Sequence, residues 1–162
     1  MALPIGAPAP EFTLRGIDGR TYSLHEPPFS GPTLLVFFKT TCGTCDLAFP
    51  YINRLWKSYR DGWRLWAVAQ DPPPRAGDYA RRHGMEYPVL PDTPDYSMSK
   101  RYDPPATPAL FLIDADGRLA YTSHGFSKDD LNELSRLVAA RLGLEAKVVA
   151  PPDDGQPAFR PG

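Results

Sequence analysis

The sequence predicts a single α/β domain, a mixed sheet covered by helices on both faces. Three observations carry that expectation. After an N-terminal hairpin, strand-like and helix-like stretches follow in the order β-α-β-α and then β-β-α. Asp116-Gly117 stands between two alternating stretches, the strongest hairpin signal in the chain. The 162 residues, 42% of them hydrophobic, suffice for one core that folds without disulfide staples.

Taken in order, Glu11–Leu14 and Arg20–Ser23 flank the turn Gly16-Ile17-Asp18-Gly19 and read as a short hairpin. Thr33–Lys39 contains the longest apolar run, Leu34 to Phe38, and reads as a buried strand. A helix over 43–60 follows, with Ala48, Ile52, Leu55, Trp56 and Tyr59 on one face and Pro50 inside it, where a kink is expected. Arg64–Gln70 is a strand stopped by Asp71-Pro72-Pro73-Pro74, and 75–83 a short helix stopped at Gly84. Pro88–Leu90 is a short extended piece and 95–102 a helical turn. Ala109–Asp114 and Arg118–Ser123 form the second hairpin. Ser127 caps a last helix with Asp130 three residues on, an acidic variant of the capping box, and this helix runs to Gly143.

Residues 1–145 form the domain on this reading, and 146–162 a Pro/Gly/Asp-rich tail expected to bury little and to behave as a mobile end. The net charge of −1 gives no reason to expect nucleic acid or an acidic membrane surface as a partner. No apolar run approaches the ~18 residues of a membrane span. The start, Met-Ala-Leu-Pro-Ile-Gly-Ala-Pro, has neither a basic n-region nor an apolar h-region. As written it points to the cytoplasm, or to an exported protein whose leader has been removed.

The chain has only 2 cysteines, in the run Cys42-Gly43-Thr44-Cys45. A structural disulfide framework would scatter cysteines over distant segments. With Cys42 just before the helix and Cys45 in its first turn, the two sulfurs meet across one turn. The free N–H groups and macrodipole there favour the Cys42 thiolate. Cys42 is then the attacking thiol and Cys45 the thiol that resolves the mixed disulfide. Half of a zinc site, or two incidental thiols, are the alternatives. His25, His83 and His124 are too far apart in sequence to supply zinc-ligand spacing. Trp56, Trp63 and Trp66 read as core or half-core side chains, and Asp71 as a solvated loop acid.

Several segments in fixed order resemble the TlpA/ResA-type branch of the thioredoxin superfamily, in the broader AhpC/TSA–redoxin group that also holds peroxiredoxins. They are Gly6-Ala7-Pro8-Ala9-Pro10-Glu11-Phe12-Thr13-Leu14 with Asp18-Gly19, and CGTC with Phe49-Pro50. Tyr87-Pro88-Val89-Leu90-Pro91-Asp92 and Ala106-Thr107-Pro108 running on to Asp116-Gly117 complete them. The resemblance covers about residues 5–142 and implies a thioredoxin-like three-layer fold with an extra N-terminal β-hairpin. It makes Pro108 the family's cis-proline beside the cysteines, and Thr107 the residue whose backbone meets an incoming peptide. Gly43, Thr44, Thr41 and Pro50 become supporting residues of the site. The implied activity is thiol–disulfide exchange on protein disulfides, as a reductase. It needs no cofactor beyond the Cys42–Cys45 pair, but does need an upstream electron donor such as a thioredoxin or a membrane dithiol protein.

The chain departs from that family at four positions. Thr41 replaces the usual aromatic before the first cysteine, and Thr44 the usual proline between the two. Val36 and Ala48 stand where relatives place a buried acid, which leaves Lys39 and Asp46 as the nearest ionisable groups. Two other activities belong to the same fold. Thiol peroxidases need a Thr three residues before the reactive cysteine and a Pro four before that Thr, where this chain has Lys39 and Leu35. Copper-binding assembly factors use a CxxxC and a His ahead of the strand starting at Ala109, where this chain has CxxC and Pro105-Ala106.

Overall fold

The computed structural model describes residues 3–162, so the first two residues of the stretch read for a leader lie outside it. β1 (Thr13–Arg15) and β2 (Thr21–Ser23) pair antiparallel as the expected N-terminal hairpin, closed at Gly19 with φ +81°. The central strand β3 (Thr33–Phe38) leads into α1 (Gly43–Ser58), which is followed by β4 (Arg64–Ala69) and α2 (Pro73–Arg82). Then come β5 (Val89–Pro91), α3 (Ser97–Tyr102) and the hairpin β6 (Ala109–Ile113) and β7 (Leu119–His124). β8 (Phe126–Ser127), α4 (Lys128–Leu142) and β9 (Phe159–Arg160) end the chain.

The five-stranded sheet has the order β5-β4-β3-β6-β7, with β3, β4 and β5 parallel and β6 and β7 antiparallel to their neighbours. Every residue of β3 is buried because both faces of the sheet are covered. Leu34, Val36 and Phe38 point into a cluster with Ile52 and Leu55 of α1, Tyr79 of α2, and Leu134 and Val138 of α4. Leu35 and Phe37 point the other way, onto Met98 and Tyr102 of α3 and onto Phe12 and Leu24 of the N-terminal segment. These are the three layers the order of elements predicts. No helix among the described residues is long and apolar enough to cross a membrane.

Three expectations need correction. α2 begins at Pro73 rather than 75, because prolines at its first two positions have φ preset for a helix and lack only N–H groups that would be orphaned there. The capping box of α4 is half made. Ser127 Oγ accepts from Asp130 N at 3.1 Å, but the Asp130 carboxylate is taken by the Ser123 hydroxyl at 2.6 Å.

The largest difference is the tail, which does not bury little. Val149 and Ala150 are fully buried in the core. Asn132 on α4 holds their backbone from both sides: its Oδ1 accepts from both N–H groups, and its Nδ2 donates to Ala150 O at 2.8 Å. Beyond them lies Lys128, only 3% exposed, which donates to Pro151 O, Asp154 Oδ1 and Gln156 O at 2.8, 2.6 and 3.0 Å. All three ammonium donors are used, which is what a buried lysine requires. The tail then returns along the body as β9, antiparallel to β8. Its polar composition hides this, because side chains of α1 and α4 hold its backbone and few apolar groups of its own are needed.

Candidate active site

β3 and β4 run parallel and end together, with Phe38 beside Ala69, so the turns that follow both strands meet at one edge of the sheet. There Thr40 N and Thr40 Oγ1 donate to the two oxygens of the Asp71 carboxylate, both at 2.8 Å. Asp71 is 6% exposed, so the solvated loop acid expected from the sequence is in fact a buried clamp on the segment leading to Cys42. Nothing local marks Asp71. The signal is the parallel register, which sets 39–41 beside 70–71. Asp71→Ala leaves two donors of Thr40 without their acceptor, a loss of about 1–3 kcal/mol. Turnover with a protein disulfide should fall by roughly 10- to 100-fold as the loop loses its position. Thr40 amide exchange should speed up in the same variant, and an unchanged rate of both would contradict the clamp.

Cys42 is the N-cap of α1, with extended φ of −106°, and its Sγ accepts from Cys45 N at 3.1 Å. The thiol of Cys42 faces the Thr107 carbonyl oxygen at 3.4 Å. Cys42 is half-buried and Cys45 fully buried one turn deeper, and both are free thiols. Burial pushes the Cys45 thiol well above the ordinary cysteine range, and Cys42 beside it pushes the same way; the Lys39 backbone opposes this more weakly. The two cysteines thus occupy different environments, one half-buried and one fully buried.

Thr107–Pro108 is a cis peptide, as the resemblance implies, and two further X–Pro bonds, Glu26–Pro27 and Thr93–Pro94, are also cis. Thr44 is buried, and its Oγ1 donates to Pro161 O at 2.9 Å. Gly43 is exposed and lies under the Arg160 guanidinium. Thr41 is exposed. Pro50 is exposed within α1, which runs unbroken through it. Lys39 and Asp46 are exposed, but Asp46 is tethered: it accepts from Tyr79 OH at 2.7 Å and lies 3.6 Å from His83 Nε2. Cys42, Gly43, Thr44, Cys45, Thr107 and Pro108 therefore meet at one end of the sheet, while Pro50 sits further along the helix. Among the described residues, no three His, Cys, Asp or Glu side chains gather where they could hold a metal ion.

The model of the AhpC/TSA family matches residues 5–122, which takes in the first hairpin, both cysteines, the cis-proline and most of β7. The chain belongs to the AhpC/TSA family. Within that family it is similar to the thiol-disulfide oxidoreductase ResA of Geobacillus thermodenitrificans, 30% identical over 82% of this chain and 76% of that protein. A thioredoxin-like protein of Haemophilus influenzae is 29% identical over 72% of this chain and 68% of its own length. Among solved structures, one described as a thiol:disulfide interchange protein DsbE from Chlorobium tepidum superposes with a TM-score of 0.78 at 28% identity. It covers 88% of this chain and is itself covered completely, at 100%. The thioredoxin domain of a Bacteroides vulgatus thiol-disulfide oxidoreductase reaches 0.74 at 20% identity, over 85% and 99% of the two chains, a likeness of fold. This AhpC/TSA-family chain is thus a ResA-like member with the thioredoxin-like fold.

Proposed function

We propose that the chain is a thiol–disulfide oxidoreductase that reduces disulfides in other proteins, with Cys42 as nucleophile and Cys45 as resolving thiol. The observation that carries this reading is the division of the pair. Cys42 is a half-buried residue at a helix N-terminus with an amide N–H directed at its sulfur, while Cys45 is buried behind it.

The Cys42 thiolate attacks one sulfur of the substrate disulfide. That S–S bond breaks, a Cys42–substrate disulfide forms, and the other substrate sulfur leaves as a thiolate and takes up a proton. Cys45 then gives up its proton and attacks the Cys42 sulfur. The bond from Cys42 to the substrate sulfur it attacked breaks, that sulfur departs and takes up a proton, and a Cys42–Cys45 disulfide remains. Two electrons pass from the dithiol to the substrate. The sulfurs carry them, so exchange itself uses no bound cofactor, and a separate dithiol donor such as a thioredoxin or a membrane dithiol protein must return them. The backbone of Thr107, beside the Cys42 sulfur, is the edge on which a substrate's extended segment lies, with Pro108 fixing the loop. Gly43, Thr44 and Thr41 shape the rim. Lys39, three residues before Cys42, is exposed and offers no hydroxyl to position a peroxide, which supports disulfide exchange over peroxidase chemistry.

Cys45→Ser tests the assignment of roles. The variant forms the first disulfide but cannot resolve it, so it should accumulate covalent adducts with protein substrates through Cys42, all released by a small reducing thiol. Cys42→Ser should accumulate none. Equal trapping by both variants, or by neither, would remove the assignment.

A further inference from the structure

Residues 159–162 lie in the cleft beside the cysteines. Thr44 Oγ1 donates to Pro161 O at 2.9 Å. A Cβ placed on Gly162 would come within 2.4 Å of Thr107 O and 2.9 Å of the Ala106 side chain, so only a glycine backbone fits against that edge. Thr107 O is the atom 3.4 Å from the Cys42 sulfur. From the other side, a Cβ on Gly125 would meet Arg160 O at 2.9 Å and Gly162 N at 3.1 Å, while Arg160 Nη2 would lie 3.1 Å from a Cβ on Gly43. An extended piece of chain therefore fills the groove bounded by Gly43–Thr44, Ala106–Thr107 and Gly125.

We infer that this groove is the site for the extended segment of a substrate protein, and that Phe159–Gly162 is its resident occupant, a strap that must lift before a protein disulfide reaches Cys42. The inference rests on the proposed reading of Cys42 as the attacking thiol. A nucleophile can be reached in line by a disulfide sulfur only if the chain on either side of that sulfur has room, and here Arg160, Pro161 and Gly162 take that room.

The residues before the strap are held firmly, and the strap itself weakly. Residues 147–156 are held by Asn132, by the buried Lys128 and by Tyr51, whose hydroxyl donates to Asp154. Past them, the hydrogen bonds that hold 158–162 among the described residues are the two-residue ladder Phe126↔Arg160 and Ser127↔Phe159, the bond from Lys128 N to Ala158 O, and the bond from Thr44, and every residue from 159 to 162 is exposed. Few buried contacts and solvent-exposed hydrogen bonds are the marks of a segment that opens locally while the rest stays folded. Because it is tethered, the segment competes at an effective concentration in the millimolar range. Substrate affinity is then reduced by the fraction of molecules in which the groove is free.

Two variants test this. A chain ending at Pro157 removes the strap and keeps the anchors. Gly162→Val keeps the strap but gives it a Cβ that cannot sit against Thr107 O. In each, Cys42 is titrated with a bulky maleimide and with iodoacetamide, and kcat/KM is measured with a protein disulfide and with a small-molecule disulfide. Rates for the bulky reagent and the protein disulfide should rise by about tenfold relative to those for their small counterparts. A synthetic Ala-Phe-Arg-Pro-Gly peptide at millimolar concentration should reverse the gain in the shortened chain. Unchanged ratios in both variants, with thermal unfolding intact, would overturn the strap, as would a fall in protein-disulfide turnover on its removal. The alkylation ratio needs no turnover, so it reports on the strap even if Cys42 proves to act on something other than proteins.

Discussion

Cys42→Ser should lower kcat/KM for protein disulfides by at least about a thousandfold while leaving the protein folded. The chemical step fails completely, because a serine oxygen cannot form the mixed disulfide. Rescue by the second cysteine is blocked by its position. Cys45 is buried, and that burial, which the substitution leaves in place, raises its thiol above the ordinary cysteine range. The fold survives because the serine hydroxyl is itself a good N-cap and accepts from Cys45 N in place of the sulfur. Stability should therefore change by no more than about 1 kcal/mol. Steady-state turnover and a denaturant titration on the same preparation check both halves. A variant that loses activity by unfolding would give the first result without the second.

The resolving step should carry a steep dependence on pH. Burial raises the Cys45 thiol above the ordinary cysteine range, so over neutral and mildly alkaline pH only a small fraction is thiolate. That fraction grows tenfold for each unit of pH, and the release of a pre-formed Cys42 adduct should grow with it, about 100-fold between pH 7 and pH 9. Rapid-quench analysis of an adduct made with a chromophoric thiol measures this step by itself. Linkage gives the matching sign for stability. A thiol whose folded-state pKa is raised contributes stability that is fully present below the unfolded value, about 8.5, and is lost as pH rises beyond it. The oxidised protein has no such group, so it should gain stability relative to the reduced form above about pH 8.5. A resolution rate flat across this range would mean that another base removes the Cys45 proton.

The fold was legible wherever local pattern and tertiary packing agree. The apolar run 34–38, the helical face of α1 and the Asp116-Gly117 turn each report a single buried or turning environment, and each occurs where expected. The dithiol was legible for the same reason, since the spacing of Cys42 and Cys45 is itself the geometry of one helical turn. Asp71 was not, because its role depends on which strand lies beside which, and no window of sequence holds both Thr40 and Asp71. The tail was not, because hydrophobicity is a poor guide where a chain is bound by its backbone. Asn132 and Lys128, more than fifteen residues before the atoms they hold, look in sequence like ordinary polar helix residues.

The positions that differ from the usual family pattern become physically specific in the structure. Thr44, in place of a proline, supplies the hydroxyl that holds Pro161. Val36 and Ala48 are buried and apolar, so neither sets a carboxylate behind Cys45. The couple is then governed by the helix N-terminus, the amide of Cys45 and the burial of its thiol. Strong oxidants of this chemistry owe their potential to a reduced form that is unusually stabilised. Here a single amide N–H at 3.1 Å donates to the Cys42 sulfur, and the proposed reducing direction requires that this stabilisation of the reduced form stay modest.

The central claim, that Cys42 and Cys45 form one redox couple working as a reductant, is tested most directly by equilibrating the full chain with glutathione buffers and measuring the oxidised fraction. A single two-electron transition between dithiol and Cys42–Cys45 disulfide is expected, with a midpoint of about −270 mV. A midpoint above about −180 mV, or no two-electron transition at all, would contradict it.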